Sequence, residues 1–303
     1  MLFKYKTILI TGGSGFIGLH ISQYLKKDYD ITVYDIKNPG DNDIEFILGD
    51  INDGKKLLQA CHGIDIVIHL AAVVGVKNTE DDPITTLNTN IIGTKNVLEA
   101  CARNNVKKVI LASSSEVYGE PKILPIDESH IPMPVTAYGI SKLASEEYLK
   151  SYAKMYDFKY SILRFFNVIG QGQAVDFVFP EFINSALKNE HITIHGSGLQ
   201  IRAFCHVDDI CQGIKKVIPR SDNETFNLGN DSEPISIENL AKKIITVLNS
   251  QSSIRYIPFE KSDRNRNIEI MSRVPNIQKA KKLLSFEPKM DLENSIRNVA
   301  KQF

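Results

Sequence analysis

No excess of either charge marks this chain: 36 lysines and arginines face 36 aspartates and glutamates across 303 residues. A surface without a dominant sign offers no long-range attraction to nucleic acid or to an anionic membrane, so neither partner is expected and any ligand must be recognised locally. Long apolar runs are missing too. The opening stretch MLFKYKTILITGG is too short to span a bilayer, and no small-residue cleavage pattern follows it, so it reads as a strand. The four cysteines, Cys61, Cys101, Cys205 and Cys211, show no C-x-x-C spacing. Set in apolar or helical stretches, they read as reduced, buried thiols, with neither disulfides nor a metal site expected, and the chain is placed in the cytoplasm. No low-complexity linker or internal repeat divides it.

What the chain has is alternation. Short β-branched runs at 7–10, 31–35, 44–50, 64–71, 107–114 and 160–166 are separated by helical periodicity near 15–27, 53–61, 83–105 and 138–156. Several runs are apolar on consecutive positions, as strands covered on both faces must be. The pattern predicts an α/β fold, a parallel sheet with helices on both faces. Beyond about residue 170 the rhythm becomes mixed, with helices expected over 206–218, 236–250, 276–286 and 291–303 and strands at 225–230 and 254–259. Residues 1–170 are therefore read as one domain built on the parallel sheet and 171–303 as mainly a smaller mixed α/β lobe, with approximate boundaries and room for the chain to cross between lobes.

Directly after the first run stands TGGSGFIG, in which Gly12, Gly15 and Gly18 recur every third residue as a helix opens. Such glycines permit a tight turn, close approach of a pyrophosphate and close packing of the helix, whose N-terminus stabilises the anion. Asp35 ends the next strand, where a carboxylate accepts ribose hydroxyls and repels a 2′-phosphate, which favours NAD over NADP. The fifth run ends in ASSSEVYG, and open parallel sheets bind ligands beyond the carboxyl ends of their strands. Further on, Tyr138 and Lys142 lie one helical turn apart. A phenol near pKa 10 becomes a base at neutral pH only if its anion is stabilised, which an ammonium group can do, and a serine hydroxyl can bind the same substrate oxygen.

Taken together, TGGSGFIG, GDI (49–51), HLAA (69–72), NIIGT (90–94), SSSEVYG, YGISK, LRFFNVIGQGQ (163–173) and RAFCHVDDI (202–210) resemble the extended short-chain dehydrogenase/reductases that act on nucleotide sugars, UDP-glucose 4-epimerase-like enzymes among them. The resemblance implies that residues 1–170 form an NAD-binding domain with a doubly wound parallel sheet of Rossmann type, that the C-terminal lobe grips a nucleoside diphosphate sugar, and that the catalytic set is Ser114, Tyr138 as base and Lys142 as its modulator and nicotinamide-ribose ligand. It also implies cofactor contacts from Gly12, Gly15, Phe16, Ile17, Gly18, Asp35, Asp50, Ile51, Leu70, Ala71, Ala72 and Asn90. Substrate contacts are implied for Ser114, Ser115, Glu116 and Asn167, with Arg202 and Arg273 as cationic clamps on the diphosphate.

Departures narrow the reaction. Where the family commonly has Arg-Asp-Phe, this chain reads Arg202, Ala203, Phe204, so a carboxylate beside the clamp is absent. The resembling 4,6-dehydratases carry an Asp-Glu pair after the catalytic hydroxyl; here the pair is Ser115, Glu116, which leaves no evident acid for the departing hydroxide. Nucleotide-uronate decarboxylases have Ser-Glu at those positions, and 4-epimerisation needs neither acid. A 4-epimerase working through a transient 4-keto sugar is the leading expectation, with decarboxylase, dehydratase and a non-catalytic NAD-binding regulator as alternatives. His206 reads as structural. The helices of 87–105 and 141–158 carry more apolar residues than one buried face requires, and the resemblance implies a homodimer that pairs them in a four-helix bundle.

Overall fold

The computed structural model describes residues 5–220, 222–258 and 269–303. Its first half runs β1 (Thr7–Thr11), α1 (Phe16–Leu25), β2 (Asp30–Asp35), β3 (Glu45–Leu48), α2 (Gly54–Ala60), β4 (Ile66–His69), α3 (Val76–Asp81), α4 (Pro83–Leu87), α5 (Gly93–Arg103), β5 (Lys108–Ser114), α6 (Ala137–Tyr156) and β6 (Lys159–Phe165). The second half runs β7 (Val168–Ile169), α7 (Val178–Leu187), β8 (Ile192–His195), β9 (Ile201–Arg202), β10 (Cys205–His206), α8 (Val207–Val217), β11 (Glu224–Leu228), β12 (Ile235–Ser236), α9 (Ile237–Val247), β13 (Ile254–Ile257), β14 (Ser272–Arg273), α10 (Gln278–Leu284) and α11 (Leu292–Ala300). The strand expected over 254–259 is seen to Ile257, and its last residue lies outside the described ones.

Seven parallel strands form the main sheet in the order β11-β6-β5-β4-β1-β2-β3. Strand order reverses beside β1, so the crevice between the carboxyl ends of β1 and β4 opens there, the place where such sheets take ligands. The consecutive apolar runs are explained by burial on both faces. Ile8, Ile10, Ile66, Ile68 and Ile110 pack into one core with α1 and α8, while Leu9, Val67, Val109 and Leu111 pack into another with α2, α5 and α6.

Elements beyond residue 170 return to the main sheet and its core. β11 pairs with β6 at the sheet's edge, and Val207, Ile210, Ile214, Ile277, Ala280 and Leu284 from α8 and α10 fill the first core. A further core is built by Phe182, Ile183, Ile192, Leu240, Ile244, Ile296 and their neighbours, all beyond residue 168. All four cysteines are buried and free. Among the described residues no helix is long and apolar enough to cross a membrane. The helical stretch expected over 83–105 is continuous but contains a π-turn at Asn88–Ile92, an irregularity that occurs often at functional sites.

Candidate active site

β1 ends at Thr11, and the glycine turn that follows adopts a left-handed conformation at Gly12, φ 73°. A side chain there would also press to 2.5 Å from the Ala71 backbone nitrogen, so only glycine lets the turn lie against the segment leaving β4. α1 starts with no capping side chain and no acidic residue in its first turn, which leaves its N–H groups and positive end for an anion. Asp35, at the end of β2, accepts from the Ser14 backbone N–H at 2.9 Å and from that of Lys37 at 3.0 Å. Turn and carboxylate thus form one rigid unit.

The neighbouring residues expected to meet the cofactor sort into two roles. Asp50 is exposed and Ile51 buried; the Asp50 carbonyl accepts from the Tyr34 hydroxyl at 2.8 Å. Leu70, Ala71 and Ala72 are half-buried along the loop after β4, and Phe16 and Ile17 are half-buried in the first turn of α1. Asn90, in the π-turn, is buried and spans the Val73 peptide unit, accepting from its N–H at 2.7 Å and donating to its carbonyl at 3.1 Å. Its amide also donates to Ser141 at 3.0 Å. Asn90 therefore fixes the loop floor against α6. A cradle that a Cβ would fill, an uncapped helix end and a fixed carboxylate fit a dinucleotide.

At the end of β5 the chain turns through a short 3-10 segment, Ser115–Tyr118, with Ser114 as its cap. α6 is started by Thr136, whose hydroxyl accepts from the Gly139 N–H at 2.9 Å and donates to Glu116 at 2.7 Å. A methyl at Gly139 would stand 2.8 Å from the Glu116 carbonyl, so glycine lets the helix start press onto the turn and bring Tyr138 to Ser114. The Ser114 hydroxyl faces the Tyr138 phenol closely enough to act on its ionisation. Burial and the Glu116 charge raise the Tyr138 phenol above its ordinary range, while the Ser114 hydroxyl and the Arg273 charge pull it down. Lys142 is buried, lies over the Tyr138 ring with its ammonium 5.6 Å from the centroid, and donates to the Ala112 carbonyl at 3.0 Å. Burial lowers it to about 8, opposed by the charge of Glu146.

The expected cationic residues arrive from the other side. Arg202 on β9 and Arg273 on β14 are register partners on adjacent parallel strands. Arg202 pairs with Glu269 at 3.0 Å and is lowered to about 10 by burial and by Arg273. Arg273 pairs with Glu116 at 3.2 Å, and its Nε is buried without a partner. Asn167, at φ 37°, donates to the Ala203 carbonyl at 3.1 Å and so ties the segment after β6 to the stretch bearing Arg202. Ala203 is fully buried, and Glu269 supplies the carboxylate beside Arg202. Ser115 is buried. His206 caps α8 by accepting from Asp208 N–H at 3.2 Å and contacts Asn298 at 3.0 Å, a structural arrangement.

Glu269 and Glu146 escaped sequence reasoning. Glu146 carried a signal, since it falls one turn past Lys142 on the same face of α6. Glu269 carried none, because its contact spans 67 residues.

A doubly wound sheet with a glycine cradle at its switch point, and with Ser114, Tyr138 and Lys142 beside it, is the scaffold of a dinucleotide-binding α/β protein. The chain belongs to the NAD-dependent epimerase/dehydratase family, whose sequence model matches residues 8–229, and NAD is its cofactor. The UDP-glucose 4-epimerase of Thermotoga maritima, solved with UDP-glucose, superimposes with a TM-score of 0.91 at 31% identity, covering 98% of both chains. The UDP-N-acetyl-α-D-glucosaminuronate decarboxylase of Bacillus cytotoxicus is 33% identical over 98% of each chain. The dTDP-D-glucose 4,6-dehydratase of Mus musculus is also 33% identical, covering 98% of this chain and 88% of that one. Three reactions at nearly equal identity leave the choice to the site residues.

Proposed function

We propose that the protein is a nucleotide-sugar 4-epimerase. The observation that carries this reading is the Ser114, Tyr138, Lys142 set in a site where, among the described residues, no acid stands free to serve an elimination. Ser115 offers only a hydroxyl, and both Glu116 carboxylate oxygens are engaged, by Thr136 and Arg273, so this residue stays an acceptor. Tyr138, ionised, removes the C4 hydroxyl proton; Ser114 holds the same oxygen by a hydrogen bond; Lys142 lies over the phenol ring and keeps a positive charge beside it. NAD, when bound, supplies the hydride acceptor and donor and the positive charge of its oxidised ring. After the 4-keto sugar turns, the phenol returns its proton to C4 oxygen while hydride enters the opposite face, so atoms and redox state balance.

Arg202 and Arg273, with Asn167 at the lobe boundary, form the proposed diphosphate clamp. The glycine turn, Phe16, Ile17, Asp35, Asp50, Ile51 and residues 70–72 form the proposed dinucleotide contacts, with Asn90 behind them. A second reading, decarboxylation of a nucleotide-linked uronate, is supported by one observation: the guanidinium of Arg273 faces Glu116 close enough to Tyr138 to act on its ionisation. A sugar whose C4 oxygen meets Tyr138 brings C6 into that neighbourhood, and Arg273 suits a carboxylate there. Incubation with UDP-, GDP-, CDP- and dTDP-sugars, UDP-glucuronate included, followed by NMR and mass analysis, decides. Inverted C4 at unchanged mass supports the epimerase; loss of carbon dioxide replaces it with the second reading.

A homodimer is part of the proposal. Ile92 of the π-turn and Tyr148, Met155 and Tyr156 of α6 expose large apolar groups on helices that pack side by side, as a four-helix bundle between two copies would need.

A further inference from the structure

Behind the catalytic set lies a buried charge network that the chemistry above does not use. Glu146 is fully buried on α6, one turn after Lys142. Its Oε1 accepts from the Ser113 hydroxyl at 2.5 Å and from Arg164 Nε at 2.9 Å, and its Oε2 accepts from Arg164 Nη2 at 2.7 Å. Arg164, on β6, also donates to the Tyr118 hydroxyl at 2.9 Å, which donates to Asn227 on β11 at 2.7 Å. A carboxylate so deeply placed costs several kcal/mol of desolvation unless fully partnered, and here both oxygens are. Yet a fork-to-carboxylate pair alone does not account for its position. It stands under both ends of the catalytic set, at Ser113 beside Ser114 and one turn from Lys142.

We propose that Glu146 is a positioning residue for catalysis: locked by Arg164 and Ser113, its carboxylate is the counter-ion that keeps Lys142 an ammonium and holds the end of β5 in register with α6. The charged and polar groups facing Lys142 support this. From α6 come Tyr138 and Glu146; from β5, the Ala112 carbonyl and Ser113; from β4, His69, neutral between Thr11 at 2.6 Å and Thr94 at 3.0 Å; from β6, Arg164 through Glu146. Glu146 is the one anion in that set. Burial works against the Lys142 charge and Glu146 works for it. Arg164 and Ser113 occupy both carboxylate oxygens of Glu146 and fix its place beneath the set.

The inference rests on Lys142 belonging to the catalytic set, and its test reads Lys142 directly. The Lys142 ε-carbon is followed by NMR in the NAD-loaded protein carrying 13C-lysine, with Lys142→Arg identifying the resonance. Glu146→Gln keeps the shape and a hydrogen bond to Ser113 but removes the charge; Glu146→Asp keeps the charge. The expected result is a Lys142 titration midpoint about one pH unit or more lower in Glu146→Gln than in the unmodified protein, and near the unmodified value in Glu146→Asp. Because Glu146→Gln leaves Arg164 without its partner, Glu146→Gln/Arg164→Gln is measured beside it and should show the same downward shift. An unmoved midpoint in either folded variant overturns the proposal, as does failure of both to fold, which makes Glu146 a folding residue only. Tyr138→Phe, tested for turnover, separates this from the underlying reading: normal turnover there removes the catalytic assignment, whereas an inactive Tyr138→Phe with an unmoved Lys142 removes only the role of Glu146.

Discussion

Arg202 and Arg273 stand opposite one another on adjacent parallel strands, and each is held by its own carboxylate, Glu269 at 3.0 Å and Glu116 at 3.2 Å. Two guanidiniums so close repel, and that repulsion helps to lower Arg202 to about 10. Two glutamates make the cluster neutral, so an incoming diphosphate meets donors already oriented. Charge-assisted hydrogen bonds are worth ~1.5–3 kcal/mol each. Arg202→Gln should therefore weaken UDP binding by about 10- to 100-fold, measured by calorimetry on the NAD-loaded protein, while NAD affinity stays within about two-fold. Unchanged UDP affinity removes Arg202 from the clamp.

Glu116 bears on the choice of reaction. Its charge holds the Tyr138 phenol up, and its removal also frees Arg273, which acts the other way. For a phenol that must ionise to work, Glu116→Gln should move the acidic limb of the pH–rate profile to lower pH, with kcat at the plateau within about ten-fold of the unmodified enzyme. That outcome fits epimerisation, in which Glu116 breaks no bond. Loss of turnover by about 10³-fold with no movement of the limb would instead assign Glu116 a direct part and favour decarboxylation.

Cofactor retention tests the cradle. Gly12 lies at φ 73°, and an added methyl would sit 2.5 Å from the Ala71 nitrogen. Gly12→Ala must displace either the turn or the loop after β4, and both line the proposed dinucleotide site. NAD affinity should fall at least about 100-fold, read by fluorescence or calorimetry, since left-handed strain and a clash against backbone each cost ~1–3 kcal/mol. NAD affinity within about three-fold of the unmodified value would place the cofactor elsewhere.

How much of this was legible in the sequence follows from contact range. The strand, glycine turn and helix at the N-terminus are set within 20 residues, and Tyr138 and Lys142 within one helical turn, so local periodicity carries them. The small sheet of β9, β12 and β14 has strands of two residues each, too short for any period to register. Glu146 reads as a solvent-side charge on an amphipathic helix until Arg164, 18 residues later on another element, is packed against it. The partnership of Glu116 with Arg273 spans 157 residues. β11 reads as a strand, but nothing local says that it joins the large sheet by passing back over the lobe boundary.

His69 ties the fold's stability to pH. It ends β4, fully enclosed between Thr11 and Thr94, and burial, with Lys142 adding to it, lowers it to about 3 from an ordinary 6.5. A histidine held neutral in the folded state contributes stability that is present above the unfolded value of 6.5 and lost as pH falls toward 3, because the unfolded chain takes up the proton first. The slope from this residue should approach ~1.4 kcal/mol per pH unit below about pH 5.5. Denaturant unfolding of the unmodified protein and His69→Gln at pH 7.5, 6.5, 5.5 and 4.5 reads it. The variant should be less stable at pH 7.5, having lost shape and a partner to one threonine, but its stability should fall less steeply on acidification, so the two curves converge. Parallel curves across that range would mean that His69 takes up its proton as readily in the folded protein as in the unfolded chain, with the Thr11 and Thr94 hydroxyls accepting from an imidazolium.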